Sequence, residues 1–300
     1  MMTGGGDLIG APRAAPGPRL GEQALGLARL VHPLPSLLDA LIVASLALVA
    51  GAEPAAAGRA ALAMLLLQFS IGAANDLADA PTDRRVARGK PIPAGTVSPA
   101  VARVVAVGAA AGGLAMATAG GAGSLAVAIG GLAAGLAYDL RLKQTAWSWL
   151  PYAVGIPLLL AFGWTGAGLP LPGFIVGLAP MAALAGAQLA VANALADLER
   201  DRASGLTTVA TSLGPPAARR MLAVVAAILA GVAWLVLGLV GASTALVAAA
   251  LAGTLLVGGG VAGSWLESAA ARRRGWEMQG VGLGLLAVVL TACVLAPAPA

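Results

Sequence analysis

Apolar runs of about 20 residues recur along almost the whole of this 300-residue chain, with only short loops between them. A run of that length crosses the hydrocarbon core of a bilayer as a helix. In lipid every backbone N–H and C=O has to be satisfied inside the structure, so such runs leave little choice of fold. Composition agrees: 59% of residues are hydrophobic, 10% are charged, and mean hydropathy is +0.89. A soluble globular chain is about 45–50% apolar and about 25% charged. The reading is an all-α, polytopic membrane bundle of about nine transmembrane helices. By apolar length they fall near 34–52, 56–78, 97–119, 122–138, 146–165, 170–194, 217–240, 243–262 and 277–297. Their abundant Gly and Ala suit close helix–helix approach. Residues 1–24, rich in Gly, Pro and Ala, are expected to form a disordered cytosolic tail, and residues 25–300 a single transmembrane domain.

Loop charge sets the expected orientation. Arg13, Arg19 and Arg29 precede the first span, Arg84, Arg85, Arg88 and Lys90 follow the second, and Arg141 and Lys143 follow the fourth. Arg200, Arg202, Arg219 and Arg220 follow the sixth, and Arg272, Arg273 and Arg274 the eighth. The alternate connections are nearly uncharged, Glu53 and Arg59 excepted. By the positive-inside rule the N-terminus and the basic loops are cytoplasmic. The basic residues thus belong to membrane loops, and no nucleic-acid partner is expected.

Two of these loops open with acid. The second span ends in Asn75, Asp76, Asp79 and Asp83, with Asp76 and Asp79 neighbours at i, i+3 and Asn75 and Asp79 at i, i+4. Gln68 shares the face of Asn75 and Asp79, and Pro81 is expected to break or kink the helix. The sixth span ends in Asn193, Asp197 and Asp201, one polar stripe at i, i+4, i+8. Charges at helix ends are commonly just solvated. Two matched clusters on one membrane face argue for more, because bunched carboxylates repel unless something positive sits among them. Hard oxygen ligands suit Mg²⁺, which binds through one or two carboxylates plus substrate phosphates. Arg84, Arg88, Lys90, Arg141, Lys143 and Arg202 stand nearby to hold phosphate charge. The physics therefore points to a diphosphate with a greasy tail, bound at the mouth of a hydrophobic bundle.

These residues resemble the UbiA superfamily of intramembrane prenyltransferases. "NDLADAPTD" is similar to the family's N-D-x-x-D-x-x-x-D pattern, at Asn75, Asp76, Asp79 and Asp83; "GKPIPAGTVSP" looks like its basic continuation, with Lys90 where arginine is commoner. "YDLRLK" resembles its tyrosine-to-lysine loop, which makes Tyr138 and Lys143 diphosphate or substrate contacts, and "DLERDRASGLTTVATSLG" resembles its second aspartate motif at Asp197 and Asp201. The resemblance spans about residues 25–297. It implies that two Mg²⁺ ions, bridged by the five aspartates, hold a prenyl diphosphate, with Asn75 and Asn193 beside them. Pyrophosphate departs, and a lipophilic acceptor, aromatic and like a quinone precursor, takes the prenyl group. A terpene cyclase of the same fold, or transfer to a glycerol-phosphate or carotenoid acceptor, is the alternative. A transporter is disfavoured, since its sites lie near the midplane. A phosphatidyltransferase is disfavoured by the lack of a D-G-x-x-A-R motif.

Of the remaining residues, Asp39 lies inside the first span, where a carboxylate is costly and tends to be functional; it orients the acceptor, takes its proton, or merely faces water. His32 is read as an interfacial structural residue, Gln188 as an interhelical hydrogen-bond partner, and Trp147, Trp149 and Tyr152 as interfacial anchors. The "ARRRG" stretch at 271–275 is read as a topology signal or lipid-headgroup contact, and Cys293 as a core residue.

Overall fold

Helix starts follow from local chemistry. Ser98, Ser243 and Ser268 each take the free backbone N–H three residues on, and Thr208 and Thr211 close a reciprocal capping box. Pro99 and Pro215 occupy first helical positions, where their missing N–H costs nothing. The computed structural model describes residues 19–86 and 89–296, without the side chains of 82–86. It has α1 (Leu20–Leu30), α2 (Pro33–Val49), α3 (Pro54–Val86), α4 (Pro99–Ala117), α5 (Gly121–Ala137), α6 (Leu150–Thr165), α7 (Gly173–Ala196), α8 (Leu198–Ala203), α9 (Val209–Leu213), α10 (Pro215–Leu239), α11 (Thr244–Gly263) and α12 (Ala269–Leu295). Among the described residues there is no strand.

Six stretches among the described residues are long and apolar enough to cross a membrane, seven if the bent pair α1 and α2 counts as one. The expected count of about nine is therefore not reached by that measure, for two physical reasons. The helix α6 has only 16 residues. One of the six stretches, Pro99–Leu142, is 44 residues long and contains both α4 and α5, parted at Gly121, whose φ is 87°. Two further expectations change. The chain is helical from Leu20, so 20–24 belong to α1 and not to a tail. The backbone of α3 continues through Pro81 to Val86 instead of breaking there.

Besides a core that ties α2 and α6 to α7 around Leu46, Leu160 and Ile175, two larger ones stand out. One core joins α7, α10, α11 and α12 around Leu195, Leu222, Leu229 and Leu286. The other joins α2, α3, α5 and α6 around Val43, Leu67, Leu132 and Phe162. In α11 and α12 close approach is built from glycine. A Cβ on Gly260 would lie 2.4 Å from the carbonyl oxygen of Gly275, and one on Gly282 would lie 2.6 Å from that of Gly253. Small residues let the backbones meet where lipid offers no hydrophobic drive to association. Gln188 on α7 donates to Gln279 on α12 at 2.9 Å; both are fully buried, as the interhelical reading of Gln188 expected.

Alternating helix directions gather α2's start, α3's end, α5's end and α7's end at one end of the bundle. At the opposite end Ala47, Ala57 and Ala167 pack together.

Candidate active site

Four local structures present the polar residues. The first is the bend of 50° between α1 and α2. Here His32 adopts a left-handed φ of 48°, a conformation that costs a non-glycine residue about 1 kcal/mol or more. Gly72 on α3 leaves room for it, since a Cβ there would meet the Val31 carbonyl carbon at 3.1 Å and His32 Cδ2 at 3.2 Å. The second is the loop after α3, wrapped about the Pro91 carbonyl, which accepts from Thr96 N–H, Thr96 hydroxyl and Val97 N–H; this holds Lys90 inward. The third is a π-helical turn, Tyr138–Leu142, closed by Lys143 N–H donating to the Tyr138 carbonyl at 2.8 Å. Tyr138 and Lys143, at its two ends, line the same cavities. The fourth is the break between α7 and α8 at Asp197 (φ −99°, ψ 8°), which separates Asp197 from Asp201 by a change of helix.

These side chains meet. Lys143 Nζ donates to Asp79 Oδ2 at 2.6 Å, and Lys90 Nζ to the same oxygen at 3.1 Å, with Asp76 Oδ1 3.3 Å away. His32 Nε2 lies 3.2 Å from Asp76 Oδ1. Asn75 donates to Asp139 Oδ1 at 2.6 Å, and Asn193 to the Tyr138 hydroxyl at 3.2 Å, with Tyr138 edge-on to Tyr152. Arg200 and Arg273 reach Asp197 at 3.7 and 3.9 Å. A small polar cavity of about 30 Å³ touches Asp79, Lys143, Asn193, Asp197 and Asp201 together. It adjoins a far larger, mostly apolar one of about 700 Å³ among α2, α3, α5, α6, α7 and α12, which Asp79 and Asp197 also line. The two distant aspartate clusters thus share one site.

Most of the residues named from the sequence are at this site. Asn75, Asp79, Lys90, Tyr138, Lys143, Asn193, Asp197 and Asp39 line the large cavity, Asp201 lines the small one, and Asp76 is buried behind them. Arg141 and Arg202 are exposed and line neither cavity. Arg141 sits mid-turn between the inward Tyr138 and Lys143, and Arg202 is one residue, about 100° of helix, beyond the buried Asp201. Asp83, Arg84 and Arg88 lie outside the described side chains. Four residues were missed. Arg200 and Arg273, and not Arg202 and Arg141, line the large cavity and meet Asp197; their residue type was legible, but not which of several neighbouring arginines turns inward. Asp139, inside the quoted "YDLRLK", partners Asn75. His32, read as structural, is bonded to Asp76. The "ARRRG" stretch does more than signal topology: Arg272, 2% exposed, donates to the carbonyls of Leu195, Leu266 and Glu267 and pairs with Glu199.

Does this donor set fit a divalent cation? Among the described residues no three acidic, histidine or cysteine groups already close on one point. The charge balance nevertheless fits. Burial first, and then neighbouring Asp197, raise the Asp201 carboxyl to about 6, as expected where two carboxylates stand close together. The buried Asp139 Oδ2 has no hydrogen-bond partner. Lysines neutralise only the α3 cluster. The donors are hard oxygens, which suit Mg²⁺.

A helical membrane bundle with two facing aspartate clusters over an apolar chamber defines a class of intramembrane enzyme. The chain belongs to the UbiA prenyltransferase family, whose family model matches residues 37–279. The fold is similar to that of a UbiA homologue from Aeropyrum pernix K1 (TM-score 0.70, 20% identity, covering 87% of this chain and 98% of that one). It is also similar to a UbiA homologue from Archaeoglobus fulgidus bound to DMAPP and Mg²⁺ (0.65, 18%, 90% and 100%). A digeranylgeranylglyceryl phosphate synthase shares it too (0.64, 14%, 91% and 100%). No curated protein matched by sequence.

Proposed function

We propose that this membrane prenyltransferase moves a prenyl group from a prenyl diphosphate to a lipophilic, aromatic acceptor, releasing pyrophosphate, with Asp76, Asp79, Asp83, Asp197 and Asp201 as Mg²⁺ ligands. The observation that carries the reading is the convergence of Asp79 and Asp197 on one cavity that is cationic at its mouth and apolar beyond. The Archaeoglobus fulgidus homologues bound to DMAPP or GPP with Mg²⁺ support it. Bound Mg²⁺ supplies Lewis-acid stabilisation of the leaving pyrophosphate. Lys90 and Lys143, which neutralise Asp79 here, exchange that carboxylate for phosphate oxygens, as charge-assisted donors do readily. Arg200 and Arg273 hold the same group from the α8 and α12 side. Their fixed charges stabilise the leaving group where its charge develops. The C–O bond breaks with its electron pair on the pyrophosphate, the acceptor bonds to the freed allylic carbon, and the acceptor's proton departs. The apolar wall excludes water that would otherwise capture that carbon. The protein sits in the membrane as a multi-pass chain among lipids, with the N-terminus and the site loops cytoplasmic by the distribution of Arg and Lys.

The test is purified protein in detergent with Mg²⁺ and labelled prenyl diphosphates, with and without aromatic, glycerol-phosphate and polyene acceptors. Product that needs an aromatic acceptor supports the proposal. Hydrocarbon formed without any acceptor points to cyclisation instead, and absence of pyrophosphate release overturns both.

A further inference from the structure

Below the charged mouth the large cavity carries a second polar feature that diphosphate binding does not use. Gln68 on α3 donates from Nε2 to Asp39 Oδ2 on α2 at 2.6 Å, and both residues line the cavity. Asp39 lies seven residues along α2 from His32, and Gln68 seven residues along α3 before Asn75. Each is two helical turns, about 10 Å, deeper than the layer that holds Asp76 and Asp79. Gln68 holds one carboxylate oxygen, Oδ2, of a residue that lines the cavity.

The geometry points to Asp39, steadied by Gln68, as the recognition point for the acceptor: it takes a hydrogen bond from a hydroxyl of an uncharged lipophile and turns away acceptors carrying a carboxylate or phosphate. This rests on the prenyl-transfer reading above. The reactive carbon of a prenyl diphosphate is bonded to the diphosphate itself, so the attacking group stands directly beneath the charged layer. A ring-sized body there extends toward Asp39. Charge then decides which bodies fit. The lysines and arginines that line the cavity are Lys90, Lys143, Arg200 and Arg273, and each belongs to the mouth, where the diphosphate engages them. Among the described residues the deeper wall offers an anion no cation. It offers Asp39 and Gln68, set among leucine, isoleucine and methionine. A carboxyl oxygen accepts from a hydroxyl donor, and in its ionised form the group repels a second anion.

The experiment uses full-length protein in detergent with Mg²⁺ and dimethylallyl thiolodiphosphate, an analogue that binds without readily transferring its prenyl group. Calorimetry follows first the analogue and then 2-naphthol or 2-naphthoate, two probes of one skeleton that differ in presenting a hydroxyl or an anion. The expected result is naphthol binding roughly 10-fold or more tighter than naphthoate. Asp39→Asn should shrink that ratio to within about threefold while leaving the affinity for the analogue unchanged. Gln68→Leu, which keeps the charge but frees the carboxylate, should weaken naphthol about fivefold, and it decides the matter if Asp39→Asn does not elute as a single species. Equal or tighter binding of naphthoate, binding of neither probe, or ratios and affinities unmoved by the variants overturns the assignment. Failure of the wild-type protein to bind the analogue with Mg²⁺, seen before any naphthalene is added, instead defeats the prenyl-transfer reading beneath it.

Discussion

Asp76 is 2% exposed and shares His32 and Lys90, and Asp79 carries two lysines on one oxygen. Asp197, by contrast, is partly open and meets its two arginines only at 3.7 and 3.9 Å. Truncating these residues therefore tests different things. Removing Asp79 takes from Lys143 the carboxylate it pairs with and leaves Lys90 with Asp76 alone, at a cost of up to about 3 kcal/mol, so lost activity there mixes folding with chemistry. Asp197→Ala leaves little unpaired charge and is the cleaner probe. Expected is a fall in pyrophosphate release of roughly 100-fold or more with an unchanged elution profile in detergent; retained turnover would remove Asp197 from the ligand set. Lys143→Ala should raise KM for the prenyl diphosphate roughly tenfold, as the loss of one charge-assisted contact to phosphate does, and titration with the thiolodiphosphate analogue checks it.

At the scale of elements, the catalytic geometry depends on how helix ends are held. The helix α7 stops at Ala196, and the break exposes late carbonyls that no following turn can satisfy. Arg272, from the first turn of α12, takes the Leu195 carbonyl at 2.7 Å, the Glu267 carbonyl at 2.6 Å and the Glu199 carboxylate of α8 at once. One guanidinium thereby fixes the angle between α7 and α8, and with it the separation of Asp197 from Asp201. Lysine cannot reproduce that fork. Arg272→Lys should raise the Mg²⁺ concentration for half-maximal activity about tenfold without changing which prenyl chains are accepted, as measured by Mg²⁺ titration of initial rates. A different element contact is tested by Gly260→Val. Its side chain would begin 2.4 Å from a backbone oxygen of α12, so α11 must move, costing about 1–3 kcal/mol or more and lowering the melting temperature in detergent.

For the whole molecule, orientation is the property that loop charge sets. Cysteine scanning on a Cys293→Ala background should find Glu53→Cys labelled by an impermeant maleimide in intact cells and Arg141→Cys labelled only after lysis; the reverse pattern would invert the topology. A bundle of membrane-length helices with two acid clusters was legible from the chain alone, because lipid permits few backbone arrangements and because Asn75, Asp76 and Asp79, like Asn193, Asp197 and Asp201, are spaced by the helical period. That period places a residue on a face of its own helix and says nothing about which face a neighbour covers. Hence Arg200 and Arg273, rather than Arg202 and Arg141, turn toward Asp197, Asp139 answers Asn75 from 64 residues away, and Arg272 pins two helix ends. Sequence determined that this chain crosses a membrane and bears acid on one side of it; only the packing of α2, α3, α7 and α12 decided which charges meet, because side chains far apart in the chain pair only where helix contacts bring them within hydrogen-bonding distance.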